Sequence, residues 1–314
     1  MDIRIKSESI ILSIVKNSIL QNYLSVLLKK TLVRMECVDM NVSILLATYN
    51  SNAFLREQID SLLEQSYRDW NLFIRDDGST DDTINIIEEY VANDSRISLI
   101  KDDFKNLGAA KSFMQLIREV ESDFYFFCDH DDVWLKDKLK VSLEALRNEN
   151  LKDENIPLIV HSDLYVVNQD LEIVNNSFWK SSGIKPGILN DKSFIQVFNF
   201  VTGCTMGFNR KARDISMDFP QDLPMHDWWI TINVLNHNGR VIDIEEPLIY
   251  YRQHSRNEVG ARNVDLKYFF KKFLNLKIIL KDHSRHIQFL KSINGHGYFK
   301  YYLIKIYYSL VRKV

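Results

Sequence analysis

Three carboxylates fall within four residues at Asp129-His130-Asp131-Asp132. At neutral pH such neighbours repel unless a cation or a network of donors offsets them. A divalent metal is the economical solution, because hard cations such as Mg²⁺ or Mn²⁺ prefer oxygen ligands and commonly take one or two carboxylates plus substrate phosphates. Two further clusters close apolar runs, Ala47-Thr48-Tyr49-Asn50 and Asp76-Asp77-Gly78-Ser79. Ligands of open α/β sheets bind beyond the carboxyl ends of strands, so polar residues gathered there carry weight. Asp, Asn, Gly and Ser are also ordinary turn and cap residues, and for each cluster alone that reading stays open.

The elements that must position these clusters follow from periodicity. From Val42 short apolar runs alternate with amphipathic segments, which predicts an α/β fold: a Rossmann-like, mostly parallel sheet with helices on both faces. Strands are expected at Val42–Thr48, Trp70–Arg75, Ile97–Lys101, Phe124–Cys128 and Leu158–His161, with helices near 53–65, 81–92, 109–120 and 136–148. Ser79-Thr80-Asp81-Asp82 predicts a helix start, with Ser79 as the cap and acids meeting the helix dipole. Beyond Val160 the alternation breaks into a hairpin around Asn168-Gln169-Asp170, a helix near 192–198, a strand over 201–208 and a helix beginning near His226. From Leu266 apolar and aromatic residues recur with Lys and Arg at helical spacing, which predicts a helical tail.

Composition narrows the class. Of 314 residues 46% are hydrophobic and 26% charged, with only 10 Gly and 5 Pro, so disordered, collagen-like and low-complexity readings fail. The net charge of −2 conceals eleven Lys/Arg against two Asp/Glu over residues 265–314, a basic tail on an acidic body. Cys37, Cys128 and Cys204 are too few and too scattered for a disulfide framework or a zinc site. The longest apolar stretch, Ile10 to Leu28, is interrupted by Lys16, Asn17, Gln21 and Asn22, so neither a membrane span nor a signal segment is expected. A cytoplasmic protein is expected, with residues 1–39 as an extension of no assigned role.

In order along the chain, AlaThrTyrAsn, AspAspGlySerThrAspAsp about 29 residues on and AspHisAspAspValTrp about 53 further resemble a family 2 glycosyltransferase, and the segment from Tyr250 to Asn257 resembles a loop of its rhamnosyltransferase-like members. The resemblance covers roughly 42–263. It implies a GT-A fold over 40–263, with a nucleotide-binding half at 40–135 and an acceptor half at 136–263, and it leaves 264–314 as a basic helical region. It places Ala47, Thr48 and Tyr49 along a nucleobase and Asp77 as acceptor from the base N3–H, with Asp76 beside it. Asp129 and Asp131 would bracket the metal and the donor ribose, and Asp132 offers itself as a direct ligand. His130, where such sequences more often have Gln, is not expected to touch the metal. Asp227, in Met225-His226-Asp227-Trp228-Trp229, takes the place of the general base, although Asp at a helix start also serves as a cap. The run from Tyr250 to Asn257 resembles an ArgXHisXXAsn loop, making His254 a metal ligand and Arg252 a diphosphate contact, with Arg256 a weaker one; a solvated surface loop is the alternative.

The expected activity is therefore an inverting, Mg²⁺- or Mn²⁺-dependent transfer from a nucleotide-diphosphate sugar, dTDP-rhamnose or a UDP-hexose, to a saccharide or lipid-linked oligosaccharide. No nucleic-acid partner is expected. A non-catalytic nucleotide-sugar binding protein or a sugar nucleotidyltransferase is the alternative, although Thr48-Tyr49-Asn50-Ser51 lacks the Gly-rich, Arg-bearing loop of the latter. A dehalogenase-type phosphotransferase would carry its acidic motif after the first strand, not the fourth. The tail's Lys267, Lys271, Lys272, Lys277, Arg312 and Lys313, interleaved with Phe269, Phe270, Phe273, Tyr301, Tyr302, Tyr307 and Tyr308, suit either an anionic membrane surface or packing on the body. Trp179, Trp228 and Trp229 fit sugar stacking or core, and Cys204 a small buried hydrophobe.

Overall fold

The computed structural model describes residues 40–254 and 276–312. The expectations for residues 1–39, for Arg256 and Asn257, and for Lys267, Lys271, Lys272, Phe269, Phe270 and Phe273 lie outside them.

Among the described residues nine strands, numbered β1 to β9 in chain order, form one mixed sheet in the order β3-β2-β1-β4-β8-β6-β9-β5, with β7 on β6. β1 (Val42–Thr48) is buried along its whole length, as a strand covered on both faces must be. It pairs in parallel with β2 (Asn71–Asp76) and β4 (Phe124–Cys128), and β2 pairs in parallel with β3 (Ile97–Leu99). This is the expected α/β half. Helices Leu55–Leu63, Thr83–Asn93, Ala109–Glu119 and Lys138–Asn150 fill the connections. Phe113, Met114, Leu116 and Ile117 of the third share one buried face against β1 and β4, within the main core.

The second half is joined less regularly. β6 (Leu158–Val167) extends well past His161 and turns back through β7 (Ile173–Asn175), the expected hairpin. β8 (Gly207–Asn209) lies antiparallel to both β4 and β6 and so links the halves. The strand expected over 201–208 is instead a 3₁₀ turn, Gly203–Thr205, closed by the Thr205 hydroxyl donating to the Thr202 carbonyl at 2.8 Å, and only then β8. β9 (Arg240–Arg252) had no counterpart in the sequence reading. Its Glu245-Glu246-Pro247 run looks like a break, and the structure absorbs it where the ladder to β6 slips, between the Ser162–Ile244 and Asp163–Pro247 pairs. Proline is tolerated in a strand at such irregularities. β5 (Val133–Trp134), also unexpected, pairs with β9 at Tyr250 and Ile249.

The helix expected to start on Ser79 begins at Thr83. The Asp81 carboxylate accepts from the Thr83 amide at 3.1 Å, while the Ser79 hydroxyl accepts from the Asn50 amide at 2.8 Å and donates to Asp76. Ser79 thus ties two loops together. The tail is helical as expected, over Leu276–Ser292 and Tyr298–Val311. Tyr301, Ile304 and Tyr308 are buried on the body, and the Tyr308 hydroxyl donates to the Gly183 carbonyl at 2.8 Å. No helix of the described residues is long and apolar enough to cross a membrane.

Gly207 pairs with Phe126, and a Cβ there would lie 2.3 Å from that ring. Gly207→Ala should therefore overpack the join between the halves by about 1–3 kcal/mol, read as a lower midpoint in thermal unfolding.

Candidate functional site

A cleft of about 1220 Å³ opens above the carboxyl ends of β1, β2 and β4. Ala47, Thr48, Tyr49, Asp77, Asp129, His130, Asp131, Asp227 and His254 line it together. Asp76, Asp132 and Arg252 are not among its lining residues, and neither are Trp179, Trp228 and Trp229, which lie in the core.

At one end, β1 and β2 deliver Thr48 and Asp76 side by side, with the Thr48 hydroxyl donating to the Asp76 carboxylate at 2.9 Å. Asp76 also accepts from the amides of Gly78 and Ser79, so it shapes the turn in which Gly78 adopts φ +97°, a conformation open to glycine. Asp77 faces the cleft, its carboxylate held by Arg75 at 2.9 Å and by the amides of Leu107 and Gly108 at 2.9 and 2.8 Å. Arg75, fully buried, bonds Asp102 as well. Burial opposes its charge, but the two carboxylates raise its pKa above the ordinary guanidinium value. Sequence reasoning missed Arg75; a lone Arg inside the apolar run Leu72-Phe73-Ile74 was the available signal.

β4 ends directly before the acid cluster, and β9 ends two residues before His254. The His254 Nε2 and an Asp131 carboxylate oxygen stand 2.8 Å apart, both side chains about a tenth exposed. The His254 ring lies 4.9 Å from that of Phe54, which the Arg252 guanidinium covers on its other approach at 4.5 Å. Arg252 fastens the cluster from behind: its amide donates to Asp132 at 3.1 Å, its Nε to the Asp131 carbonyl at 2.9 Å, and its guanidinium to Gln169 and Glu57. Asp132 is fully buried, and burial together with Asp131 and Asp129 pushes its pKa well up. One oxygen each of Asp129 and Asp132 and the Cys204 sulfur lie within 4.8 Å of one another. Burial pushes the Cys204 thiol up too. Asp129, Asp131 and His254 all line the cleft, with Asp132 directly after Asp131 in sequence, and carboxylates with an imidazole suit Mn²⁺ or Mg²⁺.

Asp227 lies in the first turn of helix His226–Asn236. One oxygen accepts from the Asn199 side-chain amide at 2.9 Å and from the Trp228 amide at 2.6 Å. Burial raises its pKa to about 6 despite these donors and the Gly203 amide. It is an anion at neutral pH that takes a proton readily, the property of a general base.

The family described as glycosyl transferase family 2 matches residues 43–215. Among curated proteins the chain is 31% identical to the dTDP-rhamnosyl transferase RfbG of Shigella flexneri, over 72% of this chain and 77% of that one. It is 29% identical to the UDP-Glc:alpha-D-GlcNAc-diphosphoundecaprenol beta-1,3-glucosyltransferase WfgD of Escherichia coli, over 64% and 72%. Among solved structures it resembles S. aureus TarS 1-349 in complex with UDP-GlcNAc at TM-score 0.53 and 22% identity, over 74% of this chain and just under two thirds, 64%, of that one. It also resembles the mannosyltransferase PcManGT of Pyrobaculum calidifontis, in complex with GDP-Man and Mn²⁺, at TM-score 0.53 and 16% identity, over 86% and 70%. The expected GT-A architecture stands on these likenesses in fold.

The raised pKa of Asp227 has a consequence for stability. The folded state holds this proton more tightly than the unfolded chain, so the associated stability is complete below about pH 4 and lost as pH rises through about 6. At pH 8 the buried charge costs on the order of 3 kcal/mol. Asp227→Asn should match wild type near pH 4 and unfold at a higher temperature than wild type at pH 8, as measured by thermal melts at both.

Proposed function

The chain belongs to glycosyl transferase family 2 and is a glycosyltransferase; we propose that it catalyses an inverting, metal-dependent transfer from a nucleotide-diphosphate sugar to a saccharide or lipid-linked acceptor. The observation that carries this reading is that the hydrogen-bonded Asp131 and His254 line one cleft with Asp227. Thr48, Tyr49 and Asp77 hold the nucleoside, with Ala47 along the base. Asp129 takes the donor ribose. Asp131 and His254 would hold a divalent cation, which when bound supplies electrostatic stabilisation to the leaving diphosphate. Arg252 positions the acid loop from behind. Asp227 accepts the proton of the acceptor hydroxyl, that oxygen bonds to the anomeric carbon, and the bond to the diphosphate breaks on the opposite face, inverting the configuration. A protein that only bound nucleotide sugars would have no use for a buried, proton-hungry Asp227 beyond the donor.

The relatives' names make dTDP-rhamnose and UDP-glucose the first donors to test. Purified protein with Mn²⁺ should release nucleoside diphosphate from a preferred donor in the presence of acceptor, and EDTA should abolish release. Turnover should rise with pH through about 6 as Asp227 ionises. Folded Asp227→Asn should bind donor normally yet lose at least about a hundredfold in turnover. Full activity in chelator, wild-type turnover by Asp227→Asn, or a product of retained configuration would refute the reading.

Membrane contact belongs to the same proposal. Helix Tyr298–Val311 packs one face on the body and exposes Phe299, Leu303, Ile306 and Leu310 along the other. Residues 298–314 carry Lys300, Lys305, Arg312 and Lys313 and no acid, so the stripe suits an anionic lipid surface. Full-length protein should co-sediment with phosphatidylglycerol vesicles, and a Phe299→Ser, Leu303→Ser, Leu310→Ser variant should not. Equal binding by both would remove this reading, as would a dimer that the variant dissolves without vesicle binding by either.

A further inference from the structure

His226 stands one residue before Asp227 and has no part in the chemistry above. Its ring is 2% exposed and enclosed by Phe113, centroids 4.2 Å apart, and by Phe127 at 4.6 Å, edge to face. Neither ring nitrogen has a hydrogen-bond partner among the described residues. Buried polar atoms left unpaired are costly, and a ring that merely filled this space would serve better as Phe. The imidazole is also among the residues lining the cleft.

Gly203 shows where that edge points. A Cβ on Gly203 would sit 2.9 Å from His226 Nε2 and 3.4 Å from a carboxylate oxygen of Asp227. The imidazole edge and a carboxylate oxygen of the candidate base therefore both lie against Gly203, where any side chain would crowd them. Burial lowers the His226 pKa to about 3, so the ring is neutral at working pH, with one nitrogen donating and the other accepting. A neutral imidazole has little to offer a diphosphate and suits a hydroxyl, which can both give and take.

We propose that His226 is a specificity-determining residue whose Nε2 hydrogen-bonds a hydroxyl of the transferred sugar. The neighbours place it on the donor side of the cleft. Phe127 belongs to β4, which continues directly into Asp129, and Phe113 to the helix that begins beside the Gly108 amide bonded to Asp77. Nucleoside and diphosphate occupy the Asp77 and Asp131 positions in the reading above, and the sugar ring fills the span between Asp131 and Asp227 on which His226 looks. The inference rests on the proposed glycosyl transfer.

The test compares His226→Phe, which keeps a ring between Phe113 and Phe127 but drops both nitrogens, with His226→Gln, which returns a polar group at about the reach of Nε2. Calorimetry with UDP and dTDP plus Mn²⁺ reports the nucleotide alone. Steady-state transfer from a panel of UDP-, dTDP- and GDP-sugars reports the sugar. His226→Phe should melt no lower than wild type, bind the bare nucleoside diphosphate as wild type does, lose about ten- to a hundredfold in donor kcat/KM and discriminate less between sugars, with His226→Gln recovering part of the loss. Wild-type kcat/KM and sugar preference in folded His226→Phe would overturn the proposal. A loss of bare-nucleotide affinity as large as the loss in kcat/KM would also overturn it, as the mark of a structural role. Should His226→Phe fail to fold, His226→Leu is judged by the same two criteria. Failure of the glycosyl-transfer reading shows differently: wild type itself would then release no nucleoside diphosphate from any sugar, and the inference would fall with it.

Discussion

β5 contributes two residues, Val133 and Trp134, to the end of β9, which β6 pairs from its other side, and these ladders turn a sequence separation of 123 residues into the 2.8 Å contact between Asp131 and His254. β4 and β5 are consecutive along the chain but lie far apart in the strand order, so the acid cluster between them bridges the curl of the sheet. Whatever holds the bridge holds the site. Arg252 does so from one side, through its amide to Asp132 and its Nε to the Asp131 carbonyl. From beneath, the buried Lys138 amine sits 3.5 Å from the Trp134 ring centroid, its pKa lowered to about 8 by burial.

Two carboxylates of the cleft, Asp77 and Asp227, are held differently. Asp77 is held by a buried Arg and two amides. Asp227 receives fewer donors than its burial requires, and its pKa rises to about 6. A buried carboxylate offset only in part by its donors is a costly anion, so the fold retains some instability at Asp227.

Much of the site was legible in the residue types. The strand-end clusters lie at strand ends because polar residues close apolar runs where the backbone leaves the sheet, and Thr48, Asp77, Asp129 and Asp131 meet in one cleft. Asp76 and Ser79 illustrate the limit: both belong to the motif, but their hydrogen bonds are spent on the turn itself. Arg75 and His226 were less visible. An Arg in a strand and a His beside an Asp acquire meaning only from neighbours distant in the chain, Asp102 and Phe104 in one case and Phe113 and Phe127 in the other.

By itself the sequence determined the α/β class, the parallel half, the helical tail and the family, because hydrophobic period and the order of acidic clusters are local properties of the chain. Tertiary structure decided the rest: the passage of β9 through Pro247, which survives at a slip in its ladder to β6; the 3₁₀ turn that sets Gly203 between His226 and Asp227; and the burial of Asp132 behind Asp131. Each depends on which surface another segment presents across the curl of the sheet, and local periodicity carries no record of that.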